Sequence, residues 1–583
     1  MVKAMAKGYK GVFILSLRRL YFLMSFFLLL YMLLAARIAY FQVIKGQDLA
    51  AQATAMRSQG IELSEYSRGE ILDRNFQPLT GSYTSTALYG LPAEMRNSRY
   101  VGNEVYGRDA LQVTAEALGR ILDKQDSRKI QEQLGQAAQS GAAFVRIASD
   151  LSEAEIKRVL SHNLPGITVA PLIKRYRQDG FCCHVLGYTG GYQNNEGQAG
   201  IEKRYNALLK KGSSPQELLS VYDARGALIK GLNFKFYEEE DRGRGSVVLT
   251  IDKRIQEIVE KEISAKVKSG AVVVMDVDSR EVLAMASRPS FNPYHIEYLL
   301  QHDQNSSLIN RALSRYHPGS LFKILVATAA LEENLVSERD KFHCSGKYVF
   351  NETQSTSCWK EEGHGELSFA QAFAYSCNPS FIEVGQRLGR EKLLTYVDKL
   401  HLCDETLLGY AYHPASYVRV NPGKIALSNA CLGQEGVMLS PLQITSLLAT
   451  VADDGLWQAP SLLRYTINSK GERSRIAATS RKERVISPET AGKVQELMEL
   501  VVSEGTGKNA ALAEIKVAGK TATSETGNWK EDGEQSLDTW FGGYFPADNP
   551  RWAVLVLVQE GESGAVDAAP VFKNIAREML KIL

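Results

Sequence analysis

The longest apolar stretch of the chain runs from Leu20 to Ala36 and is interrupted only by Ser25. Lys3, Lys7, Lys10, Arg18 and Arg19 precede it, with no acidic residue among them. Such a run spans a bilayer at the short end of the usual range, and Arg19 and Arg37 can extend to the headgroups at its ends. A cleaved signal peptide is the competing reading, with Ala35-Ala36 as the cleavage point. The run is longer than an ordinary signal core, so an uncleaved anchor is expected. Its basic flank then stays in the cytoplasm. No second run of that length follows, which puts everything past about residue 40 outside the cell.

Residues 40 to about 240 are polar and mixed. "GRDALQVTAEALGRILDK" and "LSEAEIKRVLSHNL" carry apolar residues at helical spacing, among short strand-like pieces. "DRGRGSVVLTID" marks a boundary, where glycine and charge give way to a β-rich run. "GAVVVMDV" and "EVLAMAS" read as two strands around the polar turn Asp278-Ser279-Arg280. A long helical section follows. "KVAGKTATS", "DTWFGGYF" and "WAVLVLVQE" read as three more strands, and "APVFKNIAREMLKIL" closes the chain with a helix. The order predicts an α+β (α/β) fold whose second half is one antiparallel five-stranded sheet covered by helices.

Composition narrows the picture further. At 583 residues the chain is too long for one core. A net charge of +2 gives no whole-chain electrostatic argument for nucleic acid, and none is expected as a partner. Seven scattered cysteines are too few for a disulfide-built scaffold.

Candidate chemistry starts in "YHPGSLFKILVATAALEEN". Ser320 and Lys323 are one helical turn apart, so the amine can reach the hydroxyl. Serine is a weak nucleophile until a base takes its proton, and burial can make a lysine that base. The His-Pro-Gly break before Ser320 suits a helix start, where free N–H groups can stabilise an oxyanion. An S-x-x-K alone is common. Here "YSCNPSF" adds Ser376 and Asn378 as an S-x-N triplet, and "VAGKTATSETG" adds Lys520, Thr521, Ala522 and Thr523 on an expected strand. The three motifs in this order are the signature of penicillin-recognising serine acyltransferases.

The chain resembles the class B penicillin-binding proteins over nearly its whole length. "RIAYFQVIKGQDLAAQA", "RGEILDRNFQPLT", "KRYRQDGFCCHVLGYTG" and "GQAGIEKRYNALLKKG" resemble their N-terminal region. "SVVLTIDKRIQ", "NRALSRYHPGSLFK" and "GQEGVMLSPLQ" resemble the transpeptidase domain. The resemblance implies a cytoplasmic tail at 1–19, a transmembrane anchor at 20–40, a pedestal or dimerisation-type domain at 41–240 and a transpeptidase domain at 241–583. It implies a monofunctional D,D-transpeptidase that cross-links peptidoglycan stem peptides. The implied partners are stem peptides, lipid-linked precursors, β-lactams and a membrane-embedded glycosyltransferase with its cell-wall machinery. Ser320 would attack the penultimate D-Ala carbonyl, and Lys323 would take its proton. Ser376 would join the proton relay, and Asn378 would hydrogen-bond the substrate amide. Lys520 would bind carboxylate and help depress Lys323. Thr521 and Thr523 would hold the terminal carboxylate, and the N–H groups of Ser320 and Thr523 would form the oxyanion hole.

Two positions depart from the family. Leu321 stands where a threonine is usual, and Ala522 where glycine is usual. Lys520 and Ala522 share a strand face, so the Ala522 methyl is expected to crowd a ligand along the strand and weaken acylation. The alternatives are a weakened transpeptidase-fold scaffold supporting a glycosyltransferase, and a carboxypeptidase or β-lactamase-like hydrolase. The anchor and the large N-terminal region argue against the hydrolase.

Cys344, Cys358, His364 and Cys377 lie between the first two motifs and are a full donor set for a tetrahedral, structural zinc ion. A Cys344–Cys358 disulfide or plain buried thiols are the alternatives, and His343 is a substitute ligand. Some elongation-type members hold zinc beside the active site through a His and the S-x-N cysteine, so the resemblance adds weight. Cys182 and Cys183 read as small buried side chains in a strand-like segment. The other histidines, including His162, His184, His295, His302, His317, His401 and His413, show no ligand spacing and read as surface or satisfied core groups.

Overall fold

The computed structural model describes residues 17–46, 49, 58–63, 68–81, 83–92, 95, 110–122, 126–140, 142, 144–190, 196–210, 216–221, 235–237, 245–404, 407–410, 417–475, 481–529 and 533–582. The basic residues before 17, the "DRGR" at 241–244 and His413 lie outside them.

Helix α1 (Leu17–Ala39) contains the apolar run. Among the described residues it belongs to the one helix long and apolar enough to cross a membrane, and its large apolar side chains are exposed. After a strand at Ser58–Leu63, which pairs with Gln216–Val221 in a separate sheet, come strand β1 (Ile71–Leu72) and a three-stranded antiparallel sheet in which β2 (Tyr83–Gly90) lies between β3 (Val145–Ser149) and β4 (Ile167–Lys174). Helices α2 (Ala110–Ile121), α3 (Ser127–Ser140) and α4 (Glu153–Ser161) cover that sheet around a small core with Leu88, Leu118 and Leu134. The expected strand at Cys182-Cys183 is instead a turn. Cys182 has left-handed backbone, φ 54°, and Cys183 opens a four-residue helix; both thiols are buried.

The second half holds the sheet that the sequence predicts. Strands β5 (Ser246–Leu249), β6 (Gly270–Asp276) and β7 (Val282–Arg288) follow, with helix α5 (Lys253–Lys266) inserted after β5. Helix α6 (Lys323–Glu332) is buried through Leu331, as its alanine-rich apolar sequence requires. Two small hairpin-like pairs come next. Strands β8 (Lys341–Cys344) and β11 (Gly365–Ser368) enclose β9 (Lys347–Asn351) and β10 (Gln354–Ser357). Helices α7 (Phe369–Ala374), α8 (Asn378–Leu388), α9 (Pro441–Ala452) and α10 (Pro488–Ser503) complete the helical section. Strands β12 (Leu463–Ile467) and β13 (Arg473–Arg475) lie between the last two helices. Then come β14 (Ala518–Trp529), β15 (Gln535–Phe545), β16 (Trp552–Gln559) and helix α11 (Ala569–Ile582).

The central sheet runs β7-β6-β16-β15-β14, antiparallel throughout. Its inner face packs on α6 and α9 through Val273, Leu555 and Trp540; its outer face packs on α5 and α11 through Val274, Phe541 and Phe572. A second sheet, β13-β12-β5-β1, joins the halves. In it β1, from the N-terminal region, pairs in parallel with β5. A buried Arg68–Glu202–Arg175 ion network lies beside this junction, with Arg175 also donating to the Gly69 carbonyl.

Candidate active site

Ser320 sits in a 3-10 turn, Gly319–Leu321, that leads into α6. Gly319 has φ +54°, and a Cβ there would lie 3.0 Å from the Thr523 carbonyl. Only glycine lets β14 press this close to the nucleophile. Ser524 of β14 donates to the His317 carbonyl at 2.7 Å and ties the strand to the same turn. The opposite wall is the link between α7 and α8. Ser376 has left-handed backbone there, φ 55°, an uncommon state for a non-glycine residue and one that clusters at active sites.

The three motifs converge. Ser376 Oγ donates to Ser320 Oγ at 2.9 Å. Lys323 Nζ donates to Ser376 Oγ at 3.2 Å, to the Ser376 carbonyl at 2.9 Å and to Asn378 Oδ1 at 2.8 Å. Among the described residues Lys323 makes no direct hydrogen bond to Ser320. One-turn spacing puts both on one side of the helix, but the acceptors of the S-x-N link draw the amine away. Ser376 is therefore the bridge, and a hydroxyl can accept and donate at once.

Lys323 and Lys520 are both fully buried. Burial pulls Lys323 down to about 8, against the neighbouring thiols Cys377 and Cys358, which act to raise it. Burial pushes Lys520 well below the ordinary lysine range, and the charge of Lys323 lowers it further. The repulsion between the two ammonium groups is mutual, so each favours the neutral form of the other. Its Nζ donates to the Thr521 carbonyl at 3.2 Å and lies over the Phe373 ring; Lys323 lies over Phe381. Sequence reasoning missed both rings. Their signal was position, three residues before Ser376 and three after Asn378.

The remaining site residues are engaged with protein. Thr521 Oγ1 bonds Thr506 Oγ1 at 2.6 Å, and Thr523 Oγ1 accepts from the Gly564 N–H at 3.3 Å. Asn378 Nδ2 donates to the Ser357 carbonyl at 3.1 Å. Ala522 is 3% exposed, and its methyl belongs to the core that holds Trp540 and Leu321.

Beside the S-x-N wall, the ligand atoms of Cys344, Cys358, His364 and Cys377 all lie within 4.8 Å of one another. Cys358 Sγ and His364 Nδ1 are 3.6 Å apart. All seven cysteines are free thiols, so the Cys344–Cys358 disulfide is not formed. His343 pairs instead with Glu366 on an exposed surface. The hydrogen bond from Cys377 drives Cys358 down to about 4, and the same bond pushes Cys377 up.

Residues 270–577 match the family described as penicillin binding protein transpeptidase domain, and residues 64–233 match the penicillin-binding protein dimerisation domain. The chain belongs to the class B penicillin-binding proteins. It is 28% identical over 585 residues to stage V sporulation protein D of Bacillus subtilis, covering 97% of this chain and 85% of that protein. It is 25% identical over 574 residues to the peptidoglycan D,D-transpeptidase FtsI of Escherichia coli K12, covering 94% of this chain and 89% of that one. Among solved structures, the D,D-transpeptidase domain of a peptidoglycan glycosyltransferase from Eggerthella lenta superposes with a TM-score of 0.57 at 28% identity, covering 71% of this penicillin-binding protein and 93% of that chain.

Proposed function

We propose that this protein is a peptidoglycan D,D-transpeptidase working through an acyl-enzyme on Ser320. The observation that carries the reading is the Ser376 hydroxyl held between Ser320 and Lys323. Ser320 Oγ attacks the carbonyl of the penultimate D-Ala of a donor peptide, and its proton passes through Ser376 to neutral Lys323. The terminal D-Ala leaves with that proton. An amine of a neighbouring stem peptide then attacks the ester and gives a proton to Lys323, which passes it through Ser376 to Ser320 as the ester C–O bond breaks. The N–H groups of Ser320 and Thr523 carry the oxyanion. Thr521 and Thr523 meet the terminal carboxylate by giving up their present partners, and its charge favours the protonated form of Lys520 beside it. Asn378 exchanges its bond to Ser357 for the substrate amide. β-Lactams imitate this donor and stall at the ester.

The division of the chain at residues 240 and 241 is part of the same reading. The N-terminal helix acts as a single-pass anchor with its basic tail in the cytoplasm, and the rest lies outside, where lipid-linked precursors and a membrane glycosyltransferase supply strands. Ala522 slows acylation because its methyl narrows the wall beside Lys520. Intact-mass analysis after exposure to several β-lactams tests the central claim. An adduct on the wild type that Ser320→Ala lacks supports it. Equal adducts on both, or none on either, would leave only the scaffold reading.

We further propose that Cys344, Cys358, His364 and Cys377 hold one structural zinc ion. Tetrahedral zinc sets its ligands roughly 3.5–3.8 Å apart, by geometry from Zn–S and Zn–N bond lengths. The Cys358–His364 separation of 3.6 Å already meets this, and the 4.8 Å limit on the rest leaves a contraction of about 1 Å. Four protein donors leave no position for water, so the role is to brace the turn that carries Ser376 and Asn378. Elemental analysis of protein purified without chelator, with a thiol count after denaturation, tests this. Bound zinc with all thiols titratable supports the site; no metal overturns it.

A further inference from the structure

Helix α7 ends in a left-handed C-cap at the link that carries Ser376. The Cys377 N–H donates to the Ala372 carbonyl at 2.9 Å, and the Ser376 N–H to the Phe373 carbonyl at 3.1 Å. This pair of bonds places Ser376 where the backbone turns left-handed. Glycine usually stands at such a position, because an L side chain there crowds the carbonyl oxygen that follows. Ser376 adopts it with φ 55°, a strain the surroundings must offset. We propose that Trp359, outside the three motifs, is the positioning residue that keeps the Ser376 hydroxyl between Ser320 and Lys323; the role rests on the proton relay through Ser376 described above.

A helix leaves its last carbonyls without partners of its own, and at the end of α7 each finds a different donor. Those of Ala372 and Phe373 are satisfied inside the cap. The Ala374 carbonyl accepts from the Thr506 N–H at 3.2 Å, and the Ser376 carbonyl from Lys323 Nζ at 2.9 Å. The Tyr375 carbonyl accepts from Trp359 Nε1 at 2.8 Å, and among the described residues no other donor reaches it. Backbone groups or the buried lysine serve the other carbonyls. This one depends on the side chain of a residue in the loop after β10.

The peptide unit concerned is the one that precedes Ser376. Its carbonyl is pinned by the indole and its N–H by Phe373, so the plane is held at both ends. With the plane fixed, φ of Ser376 alone sets the direction of its Cα–Cβ bond, and hence where its Oγ can reach. That Oγ lies 2.9 Å from Ser320 Oγ and 3.2 Å from Lys323 Nζ. Freed at the carbonyl end, the plane can tilt and φ can relax out of the strained region. The hydroxyl then swings off the line between nucleophile and base.

The neighbours of Trp359 hold the rest of the same link. The Ser357 carbonyl accepts from Asn378 Nδ2 at 3.1 Å, and the Cys358 thiol is hydrogen-bonded to Cys377. Residues 357–359 thus run beside 375–378, and Trp359 is the one that reaches the peptide before Ser376. Its side chain is 60% exposed, so it adds little to the core. Its ring meets the His364 ring edge-on, with centroids 5.3 Å apart. A phenyl group in its place keeps a ring against His364 and removes only the N–H.

The test uses the full-length protein in detergent and a fluorescent penicillin, with the acylation rate followed over a range of penicillin concentrations. Trp359→Phe should lower the limiting rate about tenfold, the net worth of one hydrogen bond, and leave the half-saturating concentration and the metal content unchanged. In a Ser376→Ala background no relay hydroxyl is left to position, so the same substitution should cost nothing further. A merely structural role would cost the same factor in both backgrounds. Site-specific replacement of Trp359 by 3-benzothienylalanine keeps the shape of the indole with sulfur in place of N–H. It should reproduce the Trp359→Phe result and decides the matter if that variant misfolds. A wild-type limiting rate without the indole N–H, or an equal loss with and without the Ser376 hydroxyl, overturns the positioning role. Ser376→Ala acylating at the wild-type rate would overturn the relay itself, and this role with it, and is read separately.

Discussion

The two walls of the catalytic cleft are built by opposite means. The Lys520 wall is β14, paired along its length with β15 and packed inside through Ala518 and Ala522. The Ser376–Asn378 wall is a three-residue link between helices, resting on short strands whose own cluster contains Cys344, Cys358, Leu367, Ala372 and Cys377. Regular hydrogen bonding and a deep apolar core fix the first wall. The helices of the second wall reach the same core through Phe369, Phe373 and Phe381, but the short strands on its outer side have little apolar mass, and there a constellation of sulfur and imidazole occupies the place of a core. Rigidity in the first wall is distributed over many weak contacts; on that outer side of the second it is concentrated in four side chains.

Removing the relay is the most severe way to break this comparison. Ser376→Ala cuts the only path from Ser320 to Lys323 seen among the described residues, and acylation by labelled penicillin should fall by about 10²–10⁴-fold. A loss below tenfold would mean that Lys323 swings directly onto Ser320. The next effect is on the concentrated wall. Cys377→Ser should lower both metal content and acylation, the latter by about 10–100-fold, as for other metal-supporting positions. A chelator should do the same to the wild type while leaving the β14 wall, followed by hydrogen exchange across 518–529, protected. Equal loss of protection on both walls would end the distinction drawn here.

How much of this is legible from the chain differs between the walls for the same reason. Strands such as "WAVLVLVQE" and "DTWFGGYF" announce themselves because burial on both faces demands continuous apolar residues, and all five central strands stand where the pattern predicts. The cluster is legible from its donor types, although its intervals are long and irregular. The bridging role of Ser376 is not legible, because it depends on which acceptors surround Lys323 in space. The turn at Cys182 is hidden too: local composition resembles a strand, and the left-handed residue is not a glycine.

pH sharpens the comparison. Lys323 acts as a base only when neutral, and its value of about 8 lies below that of an ordinary lysine. Acylation should therefore rise as pH climbs through about 8 and level off above it, falling near tenfold for each unit below. A flat profile between pH ~6 and ~9 would remove Lys323 from the proton path. The smallest effect belongs to the distributed wall. Ala522→Gly should speed acylation a few-fold by widening the space beside Lys520. It should also destabilise the protein by about 1–2 kcal/mol through lost packing and greater backbone freedom. Unchanged acylation with that loss of stability would show that the methyl serves the core alone.

The parallel pairing of β1 with β5 bears on how this protein can be cut down for study. A chain shortened to residues 241–583 keeps every catalytic group, yet it leaves one side of β5 without main-chain partners. Bare strand flanks are templates for pairing with a second molecule and a recognised route to aggregation. Such a fragment should be soluble only as long as something covers β5, and its yield would then report on the missing strand, not on the chemistry. Carrying residues 68–81 along, together with 196–210 so that Arg68 keeps its Glu202 partner, would be the smaller and safer remedy.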